Sequence, residues 1–374
     1  MPIASSPAVQ ESPSAPAAVN PFVRAATEHR QNFHDRTTAI GSSAVQVGPI
    51  DVAAHGFMRN IVLEVETDGT GAGASTFRED APWNVLQNIS LEDVNGRPIV
   101  GPLDGYDLYL INKWGGLGAA QGVFDPASYP SYELTTTAGV MKFKLRIPVE
   151  ITSRDGLGSL PNLTASATYK LKYTVAAEGT VWSSAPATTT PGVRVRAWLE
   201  SWSQPRATDA RNVANETMPP MVGTTQFWSK QSVNVSAGEQ RIKFTRMGNL
   251  LRNLVLIYRD DAGTPVRTSG EFPDDFRIEW DNKIKTVGNK VLWRDEMYER
   301  YGQTNDTGVF VEDFIHDADG RPGNENRHGY IPTVQGTRYE LIGTFGGSGG
   351  VLTVLTNDIA PAANVTLDSG NPRG

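Results

Sequence analysis

The chain has 374 residues, a formal charge of −7 with 20% charged residues, and no cysteine. The acidic balance argues against a protein that coats nucleic acid, so no direct specific nucleic-acid binding is expected. The missing cysteines exclude disulfides, thiolate zinc sites and cysteine nucleophiles together.

The length allows two ordinary domains. The 37 glycines and 24 prolines suit many turns between short strands. No apolar run approaches the roughly 20 residues needed to cross a bilayer. Residues 1–22, MPIASSPAVQESPSAPAAVNPF, are rich in Pro, Ala and Ser and lack the basic start and apolar stretch of a secretory signal. They read as an extended arm, because such a composition cannot offset the entropy of ordering. VRAATEHRQNFHDR (23–36) sets Val23, Ala26, Arg30 and Phe33 at helical spacing, which predicts one short amphipathic helix, with a plain connector as the alternative.

From residue 44 the period changes. AVQV, MRNIVLEVE and NVLQNISLEDVNGRPIV read as strands, with Asn95-Gly96 marking a hairpin-type turn. VMKFKLRIPVEI (140–151) alternates Met141, Phe143, Leu145 and Ile147 with Lys142, Lys144 and Arg146, the pattern of a half-buried antiparallel strand. YKLKYTV (169–175) and VRVRAWLESW (193–202) read alike. GYDLYLINKWGG and WRDEMYERYG are helical, each closed by glycine. The polar segment 203–223 reads as a linker. QSVNV, RIKF, LLRNLVLIY, DFRIEWD, GVFVEDFI, TRYELIGTF and GVLTVLT are strands again, and the chain turns polar after residue 360.

The halves echo each other. RNIVLEVETDGTG (59–71) answers RNLVLIYRDDAGT (252–264), and each strand runs into an Asp/Gly turn. SAVQV (43–47) aligns with QSVNV (231–235), and the helix GYDLYLINKWGG with WRDEMYERYG. LPNLTASATYKLKYTV (160–175) answers IPTVQGTRYELIGTF (331–345), and GVRVRAWLESW (192–202) answers GVLTVLTNDI (350–359). Five pairs in one order predict a duplication, each half holding about eight short antiparallel strands with a helix in the middle. That count suits an all-β chain of two tandem jelly rolls. The boundaries expected are an arm and short helix over 1–40, a first jelly roll over 41–204, a linker over 205–226, a second jelly roll over 227–360 and a tail over 361–374.

With this order of elements the sequence resembles the double jelly-roll major capsid proteins of tectivirus-type bacteriophages, the membrane-containing tailless phages. The resemblance rests on VGPIDVAAHGFMRNIVLEV, on WNVLQNISLEDVNGRPI followed by GYDLYLINKWGG, and on MKFKLRIPVEITSRDGLGSLPNLTASATYKLKYTV, and it spans roughly residues 40–360. It implies a non-enzymatic subunit without cofactors that forms homotrimers. These pseudo-hexagonal capsomers would tile an icosahedral shell in the virion after synthesis in the host cytoplasm. It implies further partners in neighbouring capsomers, an internal viral membrane and minor capsid or vertex proteins. The arm would face inward, with Arg24, Arg30, Phe33 and Arg36 at the membrane or between capsomers. TVAAEGTVWSSAPATTTPG (174–192) is the best candidate for an outward loop.

Trp83, Trp114, Trp182, Trp228 and Trp293 fall near the ends of elements, which makes them candidates for subunit contacts, with about half of them read as core or rim of their own barrel. HDADGRPGNENRHG (316–329) opens like a calcium loop at Asp317 and Asp319 but lacks the later ligands at the required spacing. No metal is expected there. His29 and His34 are five apart, the wrong spacing for ligands on one helical face. GTFGGSGG (343–350) lacks the Lys-Ser/Thr of a phosphate loop, and GLGAAQG (116–122) follows a helix where a dinucleotide fingerprint would precede one. The alternative function is a tandem jelly-roll protein that binds or processes carbohydrate.

Overall fold

The computed structural model describes residues 19–67, 73–115, 125–186, 191–220, 225–246, 248–260, 267–303, 306–314, 330–333, 338–347 and 349–361. The first half contributes β1 (Glu28–Ala39), β2 (Val45–Asp51), β3 (Phe57–Thr67), β4 (Leu86–Glu92), β5 (Pro98–Leu103), helix α1 (Gly105–Trp114), β6 (Val140–Pro148), β7 (Lys170–Val175) and β8 (Gly192–Trp202). The second half contributes β9 (Gln226–Val235), β10 (Gly238–Lys243), β11 (Asn249–Asp260), β12 (Asp275–Trp280), β13 (Lys283–Asn289), helix α2 (Lys290–Tyr301), β14 (Val309–Asp313), β15 (Tyr339–Phe345) and β16 (Gly350–Pro361).

The sheets repeat strand for strand. In the first half the order is β1-β8-β3-β6 in one sheet and β2-β7-β4-β5 in the other. In the second it is β9-β16-β11-β14 and β10-β15-β12-β13. Every strand of one half thus has its counterpart eight strands later. The two halves also share a sheet, because β9 pairs with β5 in parallel where Trp228 faces Val100.

The alternation read from the sequence sets the cores. Ile61, Leu63 and Val65 on β3 face Ile147, Leu145 and Phe143 on β6, and all are buried. Tyr173, Leu91 and Val47 close the barrel from the other sheet. In the second barrel the equivalent layer is Leu254, Leu256 and Tyr258, packed on Phe272, Phe276 and Phe345. Each such side chain contributes about 1.5–3 kcal/mol by leaving water.

Both Arg-Asn pairs stand at a strand entrance. Asn60 faces Glu200 and Pro148, and Asn253 faces Asn357 and Asp313. Just before them Met58 pairs with Leu160, and Leu251 with Ile331, so the two aliphatic-Pro segments dock alike.

Two expectations need correction. Residues 28–39 form strand β1 rather than an amphipathic helix, and only Phe22–Ala25 makes a helical turn. The β1 side chains are mostly polar and exposed because the strand lies at a sheet edge, paired only with β8, so no two-residue apolar alternation was present to read. The match of SAVQV to QSVNV is one strand out: AVQV lies in β2, whose counterpart is β10, whereas QSVNV ends β9.

Candidate assembly surfaces

Helix α1 is where the barrels meet. Asp104 caps it, and the Asp107 carboxylate accepts from the Asp104 backbone N–H at 3.0 Å, a reciprocal capping box. The sequence GYDLYLINKW is apolar or aromatic on every side, and such a helix must be covered all round. Every residue of α1 is buried.

One side of α1 faces its own barrel. Tyr109 stacks on Trp83 with ring centroids 4.4 Å apart, and Asn112 clamps Arg146, donating to its carbonyl and accepting from its N–H, each at 2.7 Å. The other side faces the second barrel. Lys230 on β9 bridges Asp104 at 2.7 Å and Asp107 at 2.6 Å. Trp114 meets Tyr301 edge-on at 5.5 Å, the Arg267 guanidinium lies 4.5 Å over the Tyr106 ring, and Lys113 pairs with Asp306 at 2.9 Å. Burial alone would lower the Lys230 ammonium pKa, but Asp107 and Asp104 overcome it and raise the value.

Beside the helix, the Gln226 amide donates to the Glu150 carbonyl at 2.6 Å, tying β9 to the first barrel. Its oxygen accepts from Trp228 Nε1, Arg252 and Asn357 at 3.2–3.3 Å. Arg267 and Arg259 both reach Asp80 at 2.9 Å. Burial pushes the Glu150 carboxyl up even though Arg59 pairs with it at 3.0 Å and Trp202 Nε1 donates to it at 2.6 Å.

The outer faces of the two equivalent sheets differ sharply. On β9-β16-β11-β14 the outward residues Val255, Ile257, Leu355 and Val311 are buried where the sheet meets the first barrel. On β1-β8-β3-β6 the counterpart surface is a ladder of opposite charges. Arg194 pairs with Asp35 at 2.6 Å, Arg196 with Glu66 at 3.3 Å, and Arg146 with Glu200 at 3.2 Å. Arg30 also bonds Glu200. Burial favours a protonated Glu200, but Arg146 and Arg30 outweigh it and lower its pKa.

Helix α2 is capped by Asn289, whose side chain accepts from Leu292 N–H at 2.9 Å, and it ends at Gly302 in the left-handed region (φ 64°). Trp293, Met297 and Tyr301 are buried, and Trp293 Nε1 donates to the Val311 carbonyl at 2.7 Å. Its other side is bare: Val291, Leu292 and Tyr298 are exposed by 67%, 49% and 57%, next to Ile284 at 58% and Val287 at 65% on edge strand β13.

The five candidate tryptophans, Trp83, Trp114, Trp182, Trp228 and Trp293, are all buried within the chain, as the core reading has it for about half of them. Element ends in this fold point into the core or between the barrels, so those side chains offer no surface to another subunit. Of the arm residues, Arg24 and Arg36 are exposed, Arg30 is tied to the sheet, and Phe33 is half-buried against the core. His29 stacks on His55 at 3.9 Å, and His34 Nε2 shares a 2.9 Å hydrogen bond with the Tyr173 hydroxyl. In the expected outward loop, Trp182–Ser184 pairs with Thr76–Phe77 and turns Trp182 inward, while 187–190 lie outside the described residues. Asp317, Asp319 and the rest of 316–329 also lie outside them. Among the described residues no group of three His, Asp or Glu could hold a metal, and no helix is long and apolar enough to cross a membrane.

No family model matches the sequence, and no curated protein matches it. Solved structures do match. The atomic structure of Sulfolobus Turreted Icosahedral Virus aligns over 91% of this chain and 93% of its own at TM-score 0.62 and 10% identity. The PBCV-1 virus capsid aligns over 93% and 96% at TM-score 0.59 and 12% identity. The chain is a double jelly roll. The major capsid protein P2 of bacteriophage PM2 shares this double jelly roll over 89% of this chain and 98% of its own, at TM-score 0.53 and 10% identity. All three similarities run through both jelly rolls, so it is the tandem arrangement that is common to them.

Proposed function

We propose that this chain is the major capsid protein of an icosahedral virus of the tectivirus type, a structural subunit without catalytic chemistry. The observation that carries the reading is the repetition itself: two barrels of one topology, fused through a buried interface, over the full span of the aligned shell proteins. Three such chains present six similar lobes, a near-hexagon suited to tiling a facet.

In this reading the homotrimer is the building block, the shell encloses a membrane, and the segment before β1 faces inward. Arg24, exposed just before β1, supplies positive charge for anionic headgroups there. The pairing of Val19–Asn20 with Ala214–Asn215 and the packing of Phe22 on Phe57 and Trp202 support a fixed exit point for that segment.

The test is expression of the chain alone, followed by its mass in solution and electron microscopy of the larger species. Trimers or shells support the proposal, and a monomer that binds or hydrolyses glycans overturns it. Removing residues 1–18, which leaves β1 whole, is expected to keep trimers and abolish shell formation or membrane attachment. Loss of trimers in that deletion refutes the role given to the arm.

A further inference from the structure

The contact between the barrels uses two surfaces, and each has a free counterpart. Within the chain, α1 and β5 of the first barrel meet the outer face of β9-β16-β11-β14. The counterpart of α1 and β5 is α2 and β13, and that of the covered sheet is β1-β8-β3-β6. We propose that these two free surfaces bind each other between copies of the chain, α2 and β13 of one docking on the β1-β8-β3-β6 face of the next. This rests on the shell-subunit reading and names the surface by which its trimer forms.

The pairing register fixes which residues correspond. Asn60 faces Glu200, which faces Arg30, just as Asn253 faces Asn357, which faces Trp228. Arg30 therefore stands where Trp228 stands. Leu171 faces Leu91, which faces Val100, and Leu341 faces Ile278, which faces Thr286. The bridge between Trp228 and Val100 inside one chain thus becomes Arg30 of one copy beside Thr286 of the next. Counted back from Gly115 and Gly302, which end the two helices, Val291, Arg294 and Tyr298 take the positions of Asp104, Asp107 and Ile111.

The surface chemistry agrees with this assignment. Ile284, Val287, Val291, Leu292 and Tyr298 make up half of the large apolar side chains exposed among the described residues, all within one strand-helix unit. A patch so concentrated marks an interaction surface rather than scattered exposure. The charges do not repeat those of the in-chain contact. Inside the chain Lys230 on the sheet meets Asp104 and Asp107 on the helix. In the free pair Asn32 replaces Lys230 and Arg294 takes the place of Asp107, while Asp35, Glu64 and Glu66 on the receiving face are already paired with Arg194 and Arg196, so the apolar patch carries this contact. The edges agree too: β1 pairs only with β8 and β13 only with β12, as β9 and β5 would be edges without each other.

The contact is head-to-tail, so it closes a ring or runs on as a filament. Repeating the in-chain arrangement gives a ring of six barrels from three chains. A chain without cysteine allows a clean test. Asn32→Cys and Arg294→Cys are combined in one chain and treated with a short bismaleimide. Covalent species of two and three chains and no larger are expected, with neither single variant giving the three-chain species. A trimeric variant with no cross-link between chains overturns the assigned surface while leaving the trimer standing. A chain that is monomeric both with and without the cysteines overturns the shell reading itself. Independently, V291D/Y298D is expected to weaken trimer formation at least ten-fold with unchanged far-UV circular dichroism, whereas Val94→Asp, on an exposed turn, leaves the trimer unchanged. Trimers that survive V291D/Y298D at wild-type strength refute the inference.

Discussion

Helices α1 and α2 hold the same place in two barrels of the same topology, yet one is wholly enclosed and the other shows a face to solvent. Their sequences already differ in the required way. GYDLYLINKW has no polar side except its capping and bridging groups, whereas KVLWRDEMYERY puts Trp293, Met297 and Tyr301 on one face and charges on most of the rest. The outer sheet faces diverge with them, from Val255, Ile257 and Leu355 in the second barrel to Val62, Glu64 and Trp198 in the first. A duplicated surface that is permanently desolvated within its own chain becomes apolar. One that must stay soluble until a partner arrives keeps paired charges and only a small apolar patch.

Truncation at the two helices should expose this difference most strongly. Trp114→Ala empties a buried site between the barrels and is expected to cost about 3–5 kcal/mol in urea unfolding. Tyr298→Ala, at the exposed position of α2, should leave the unfolding of the isolated chain unchanged. Equal losses at both positions would break the comparison.

Next in size is the Lys230 bridge. Lys230→Met leaves the buried Asp107 without its cation and should cost roughly 3 kcal/mol, because removing one partner strands the other charge. Adding Asp107→Leu to that variant should recover part of the loss.

A third difference lies inside the barrels. Glu312 faces Leu254 as Ile147 faces Ile61, so a carboxyl in the second barrel replaces an isoleucine in the first. Burial pushes Glu312 up to about 7, although Thr286 donates a hydrogen bond to it at 2.7 Å. The folded chain then keeps a proton that the unfolded chain releases above its ordinary carboxyl pKa. The stability from this group is full below about pH 4.5, falls as pH rises and is gone above about pH 7. Glu312→Gln should remove that slope, making the variant about 3 kcal/mol more stable relative to wild type at pH 8 than at pH 4. A pH-independent difference would contradict it.

The smallest effect is expected on the exposed ladder. Arg194→Ala breaks the pair with Asp35 at the surface, and its melting temperature should match wild type because such pairs contribute little to folding. If trimers form on this face, the same variant should shift their salt dependence.

Much of this architecture was legible in the sequence. The alternation of Met141 to Ile147, the glycine-closed helices and the Arg-Asn echo gave the two barrels and the right partners for four of the five repeats. Strand β1 was missed because an edge strand with Glu28, Arg30, Asn32 and Asp35 outward has no apolar period to see. A count would have found it: two strands, β9 and β10, precede RNLVLIY, so two must precede RNIVLEV. The tryptophans were misplaced for a related reason. Nearness to an element's end is a position along the chain, while the direction of Trp114 or Trp228 depends on a second barrel that no local window contains. The bare side of α2 was equally hidden, since Val291, Leu292 and Tyr298 read as ordinary helix residues until the buried face was known.

The central claim is that three copies of the two-barrel chain close into one ring of six barrels. The most direct test is the native mass of the unmodified 374-residue chain at neutral pH and moderate salt. Three chains per particle are expected, with no population of open polymers. A single chain at every concentration would contradict the account.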